Sequence, residues 1–199
     1  NHINNMKIIK KIALLAVSLL VYAVAVAQNR PSSVSLVCGP YLQNVTTNSF
    51  TVVFVSDIDA LVWVELAPDD GTHFYREERP KFYDLTGYGV NPIGKIHRVT
   101  VDGLKPDTRY RYRVMMKGVK SFESERDIEY TKPYGANVYT ANPPVVKTLK
   151  TDYDKVDFAV TNDIHEHTDV LEQLFKDARG KNYDFVLYNG DMTTTLNDH

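Results

Sequence analysis

The chain has 199 residues, of which 43% are hydrophobic, and a formal net charge of −2. Its first 27 residues hold 19 of the hydrophobic set and three lysines, leaving 20 basic against 25 acidic residues in the remainder. That acidic balance argues against a nucleic-acid binder, and the supply of aromatic and β-branched residues argues against long disorder.

Met6-Lys7-Ile8-Ile9-Lys10-Lys11 forms a basic region, Ile12 to Val24 is uncharged and mostly apolar, and Ala25-Val26-Ala27 is a small-x-small cleavage site. This layout predicts a secretory signal peptide over residues 1–27, cleaved after Ala27, and a periplasmic or secreted protein. The competing reading is an uncleaved anchor. It is disfavoured because Ile12 to Ala27 spans 16 residues, short of the roughly 20 that cross a bilayer. No stable membrane span is expected after cleavage. Asn1 to Asn5 precede the first methionine and read as upstream of the true start. Cys38 is the single cysteine, so no internal disulfide is expected. Beside Leu36 and Val37 it reads as a small buried hydrophobe.

From residue 33 to about 117 the pattern is β. Residues 50–55 are β-branched and aromatic, bounded by Ser49 and by Ser56-Asp57, and predict a strand. Residues 61–66 predict a second, ended by Pro68-Asp69-Asp70-Gly71. Residues 97–101 alternate with period two, and His97 at their start reads as structural. Along 104–114, Tyr110, Tyr112 and Val114 share one face and Arg109, Arg111 and Arg113 the other. The arginines read as a solvated strand face rather than an anion site. Residues 118 to about 150 carry turn signals at Lys132-Pro133-Tyr134-Gly135 and Asn142-Pro143-Pro144. Residues 145–149 read as a last strand.

Short strands separated by turns predict a sandwich. The stretch Leu104-x-Pro106-x-Thr108-x-Tyr110-x-x-x-Val114 resembles the strand E–F corner of fibronectin type III domains. The resemblance implies that Tyr110 hydrogen-bonds back to nearby backbone. Gly39-Pro40-Tyr41-Leu42-Gln43, followed by Ser49-Phe50-Thr51-Val52, resembles the opening of the fibronectin-like domain ahead of the catalytic domain in purple acid phosphatases.

After Asp157 the pattern changes. Residues 158–161 are a short apolar run ending in Asn162-Asp163-Ile164-His165-Glu166-His167. A helix is predicted next: Val170, Leu171, Leu174, Phe175 and Ala178 fall on one stripe, Thr168 or Asp169 caps the start, and Gly180 suits the end. Residues 183–188 form a second apolar run ending in Asn189-Gly190-Asp191. The unit is β-α-β, and a right-handed crossover can place Asp163 and Asp191 together at the carboxyl edge of the sheet, where sites form in open α/β sheets. With His165 they make two carboxylates and an imidazole, a donor set suited to Zn, Fe or Mn. On spacing alone, solvated loop carboxylates with a surface histidine is an equal reading.

Asp163-x-His165 followed by Gly190-Asp191 resembles the first two motifs of the calcineurin-like metallophosphoesterases, with a gap of 24 residues that fits the family. The resemblance implies that Asp163 and His165 bind one metal and that Asp191 bridges two. It also implies a leaving-group acid histidine in a later motif, expected beyond His199, so that no catalytic acid falls within these residues. Thr194 stands where purple acid phosphatases carry an iron-bound tyrosine, which implies a more general dinuclear site of Zn, Fe or Mn. His167 reads as a surface loop residue.

The expected organisation is a signal peptide at 1–27, an Ig/fibronectin III-like β-sandwich at 28–150, and the truncated β-α-β start of an α/β metallophosphoesterase domain at 151–199. The expected function is hydrolysis of phosphate esters, with the chain inactive alone. The alternative is a cell-surface or periplasmic binding module without catalysis.

Overall fold

The computed structural model describes residues 11, 14–18, 31–85, 89, 91–140, 142–178, 181 and 183–193. Apart from 11 and 14–18, the segment read as a signal peptide lies outside them, as do Gly180 and residues 194–199. Among the described residues no helix is long and apolar enough to cross a membrane. The chain divides into two compact units, Asn1–Thr151 and Asp152–His199.

The first unit is built from β1 (Leu36–Gln43), β2 (Phe50–Pro68), β3 (Lys81–Tyr83), β4 (Gly94–Val101), β5 (Arg109–Ser124), β6 (Asp127–Tyr130), β7 (Tyr134–Gly135) and β8 (Val145–Lys147). All pairings are antiparallel. The first half of β2 pairs with β1 and β4, its second half pairs with β3 and β5, and β5 pairs in turn with β6, β7 and β8. Alternate residues face inward: Phe50, Val52 and Phe54, then Val62, Val64 and Leu66 on β2, Val99 and Val101 on β4, and Tyr112, Val114 and Met116 on β5. These side chains form one buried cluster. A sheet whose two halves feed a single core must curl over it, which is the arrangement of a β-sandwich.

The two strands predicted at 50–55 and 61–66 are one continuous strand of 19 residues. Ser56 and Asp57 do not break it because their polar groups are satisfied in place. The Ser56 hydroxyl donates to the Ile58 carbonyl at 2.7 Å, and the Asp57 carboxylate accepts from the Ser35 amide at 2.9 Å and the Ser35 hydroxyl at 2.6 Å. The cost is a register shift against β4 between Val55 and Ala60 and another against β1 between Leu36 and Cys38. β5 likewise continues to Ser124, through Gly118. A Cβ at Gly118 would lie 2.5 Å from Ile58 Cδ1 and 2.8 Å from Val34 Cβ, so glycine here marks close approach inside a strand rather than its end.

Cys38 is exposed, not buried. β1 changes register against β2 on both sides of Cys38, and it is Leu36 and Leu42 that pack on the core. The Tyr110 hydroxyl accepts the Lys105 amide at 3.0 Å, a corner contact that ties β5 to the segment before it.

The arginine face of β5 is not uniformly solvated. Arg109 is 58% exposed and pairs with Asp69, whereas the Arg111 side chain is 11% exposed. Arg111 donates to the carbonyls of Pro68 and Thr72 at 2.9 and 2.8 Å, and Arg113 donates to the Ala136 carbonyl at 2.8 Å and to the Tyr75 hydroxyl at 2.5 Å. Phe74 is buried in a second small cluster with Ala67 and Val138. The guanidinium carbons of Arg79 and Arg111 lie 5.9 and 6.0 Å from the Phe74 ring centre. The loop before β3 is thereby fastened to the outer face of the sheet.

His97 on β4, 1% exposed, pairs opposite Phe54 of β2, its ring 5.1 Å from Phe54 and its Nε2 2.9 Å from the Ser56 hydroxyl. Burial holds its pKa below the ordinary 6.5, against a smaller opposing pull from Asp84 and Asp59. The unfolded chain therefore binds this proton more readily. The resulting penalty is absent above about pH 6.5 and grows as the pH falls below it. Urea titrations at pH 5 and 7.5 should show that His97→Gln loses less stability on acidification than the parent; an unchanged difference would contradict the assignment.

Candidate metal centre

In the second unit β9 (Phe158–Thr161) and β10 (Phe185–Tyr188) pair in parallel, in the register Phe185↔Phe158 to Tyr188↔Thr161, with α1 (Thr168–Ala178) between them in sequence. Parallel pairing sends the loops after β9 and β10 off the same sheet edge, and hydrogen bonds join them beyond the strands. The Asn189 amide donates to the Thr161 carbonyl at 2.8 Å, Asp163 to Gly190 at 3.2 Å, His165 to Asp191 at 3.0 Å and Glu166 to Met192 at 2.9 Å. Asp163, His165, Glu166 and Asp191 all have left-handed backbones, with φ of 58°, 46°, 64° and 47°, and Gly190 has φ 90°. Such a run of non-glycine residues with positive φ is unfavourable and gathers at functional sites.

The result is convergence. One donor atom from each of Asp163, His165 and Asp191 lies within 4.8 Å of the other two, and all three residues are exposed. His165 Nε2 is 2.7 Å from Asp163 Oδ1. Two carboxylates and an imidazole, reachable from solvent, fit a Zn, Fe or Mn ion. His167 is exposed, with Nδ1 4.0 Å from Asp169 Oδ1, and takes no part in this group. Thr168 begins α1, and Leu171 and Phe175 are half-buried while Val170 and Leu174 are exposed. Phe158, Val160, Phe185 and Leu187 are each about half exposed, so the sheet carries apolar side chains in contact with solvent. The sequence pattern missed two features of the site: the left-handed backbone at its ligands, and Ile164, the only buried side chain among the described residues of 152–193. An apolar residue between two polar ligands in a loop was the available signal for the second.

Residues 38–128, from β1 into β6, match the family described as purple acid phosphatase, N-terminal domain. This stretch is similar to that family. Asp163, His165 and Asp191 lie beyond the residues matched to the purple acid phosphatase N-terminal domain. No curated protein matches the chain. Among solved structures, a purple acid phosphatase from yellow lupin (Lupinus luteus) seeds is 17% identical with a TM-score of 0.45, over 83% of this chain and 30% of its own. The present chain thus spans less than a third of that protein. The sensor domain of an anti-sigma factor from Pseudobacteroides cellulosolvens is 11% identical with a TM-score of 0.34, over 63% of this chain and 98% of its own. Astrotactin-2, a vertebrate-specific perforin-like membrane protein, is 10% identical with a TM-score of 0.34, over 76% of this chain and 26% of its own.

Proposed function

We propose that the chain is the amino-terminal part of an exported, metal-dependent phosphoesterase. In this reading residues 1–27 are a cleaved signal peptide, 28–150 a fibronectin III-like sandwich domain, and 151–199 the start of a calcineurin-like phosphoesterase domain. The observation that carries the reading is the convergence of Asp163, His165 and Asp191 at the carboxyl ends of two parallel strands. The purple acid phosphatase N-terminal domain ahead of them supports it.

Asp163 and His165 would hold one ion and Asp191 would bridge it to a second. A dinuclear centre of this kind supplies a water acidic enough to attack phosphorus near neutral pH and clamps the phosphoryl oxygens. The carboxylates bring the negative charge that the metals require, and their exposure leaves room for a phosphate ester. Among the described residues three side chains converge, too few donors for two ions of four or more ligands each. The 199-residue chain is therefore expected to take up Mn²⁺ or Zn²⁺ in calorimetry but to show no phosphatase turnover. Robust turnover that Asp191→Asn abolishes would refute the second part, and absence of metal uptake would refute the ligand assignment.

A further inference from the structure

We propose that Ile164 is the positioning residue of this centre, the anchor that turns the side chains of Asp163 and His165 onto one point. The proposal rests on reading Asp163, His165 and Asp191 as metal ligands. Ile164 stands between two residues with left-handed backbones, and a third, Glu166, follows. Left-handed conformations outside glycine persist only where the surroundings hold them. Asp163, His165 and Glu166 are exposed, so their side chains gain little from burial. The backbone on either side of Ile164 is held by the Asp163 amide on the Gly190 carbonyl and the His165 amide on the Asp191 carbonyl. The Ile164 carbonyl accepts the His167 amide at 2.9 Å, closing the turn that leads into α1.

Against this polar background Ile164 alone is withdrawn from water, at 5% exposure. Burying an aliphatic side chain stabilises more than a typical hydrogen bond does net, and in this loop Ile164 is buried while Asp163 and His165 on either side of it are exposed. Burial of Ile164 and the 2.7 Å approach of His165 to Asp163 are then two sides of one backbone conformation.

Calorimetric titration of the whole chain with Mn²⁺, alongside Ile164→Ala and Ile164→Val, tests this. Residues that orient ligands without touching the metal typically contribute about 10- to 100-fold in affinity. That loss is expected for Ile164→Ala, with amide hydrogen exchange in α1 unchanged, and Ile164→Val should restore affinity close to the parent value. Ile164→Ala binding as tightly as the parent would overturn the proposal. So would loss of α1 protection together with affinity, which would assign Ile164 to general folding of the unit. A parent chain that takes up no Mn²⁺ would instead overturn the metal reading beneath it.

Discussion

Phe74→Ala is expected to lower the melting temperature of the chain by about 10 °C or more, while Arg109→Ala leaves it nearly unchanged. The Phe74 ring is 1% exposed, and removing a buried phenylalanine side chain costs about 3–5 kcal/mol. For a domain of this size a few kcal/mol corresponds to a shift of that order. The ring also lies beneath two guanidinium groups, Arg79 and Arg111, whose attraction to its face goes with it. Arg111→Ala should destabilise in the same sense, since it leaves the carbonyls of Pro68 and Thr72 without their donor. Arg109 is mostly solvated, and an exposed pair such as its contact with Asp69 contributes about 1 kcal/mol or less. Thermal melts followed by circular dichroism distinguish the three. Equal shifts for Arg109→Ala and Arg111→Ala would mean that the arginine face is uniformly solvated after all.

Asp191→Asn is expected to lower Mn²⁺ or Zn²⁺ affinity by roughly 100-fold or more, beyond the loss seen for residues that act only through a ligand. The substitution isolates charge from shape. Asp191 has φ 47°, a conformation that asparagine tolerates as well as aspartate. Its backbone carbonyl keeps the His165 amide, so the loop geometry survives. What disappears is one negative charge at the proposed bridging position. In the protein carrying the complete phosphoesterase domain the same change should remove most hydrolysis of phosphate esters. Calorimetry on the chain and a phosphatase assay on the complete protein read the two effects separately, and unchanged metal affinity would remove Asp191 from the ligand set.

Period-two alternation was enough to read the inward faces of β4 and β5, because one side of each is buried and the other is at least partly exposed; β2 was legible only by residue type, since Thr51, Val53, Glu65 and Ala67 on its other face are buried too. The strand boundaries were less legible. Ser56, Asp57 and Gly118 look like breaks by residue type, yet each is accommodated by a partner far away in sequence: Ser35 for Asp57, the Lys95 carbonyl and His97 for Ser56, and Val34 for Gly118. The three arginines looked equivalent for the same reason. Only the return of the loop carrying Phe74, and for Arg113 of the segment at Ala136, makes Arg111 and Arg113 differ from Arg109, and no local pattern encodes those returns. At the proposed centre the residue types and their order were legible, because Asp163, His165 and Asp191 follow strand ends. The left-handed backbone that brings their donor atoms together was not, since it depends on hydrogen bonds between loops 25 or so residues apart in sequence.

The unbroken run of β2 has a consequence for how the first unit comes apart. A single strand supplies the middle of both halves of the curled sheet, so neither half keeps its central ladder if the other melts. Partial opening of one half is then as costly as opening both, and loss of structure should be all-or-none across residues 50–68. The amides of Val52 and Val64, which sit in opposite halves, should exchange with solvent at matching rates under native conditions. By the same logic, damage at His97 and damage beside Phe74 should be felt by the whole unit rather than by the half in which they occur.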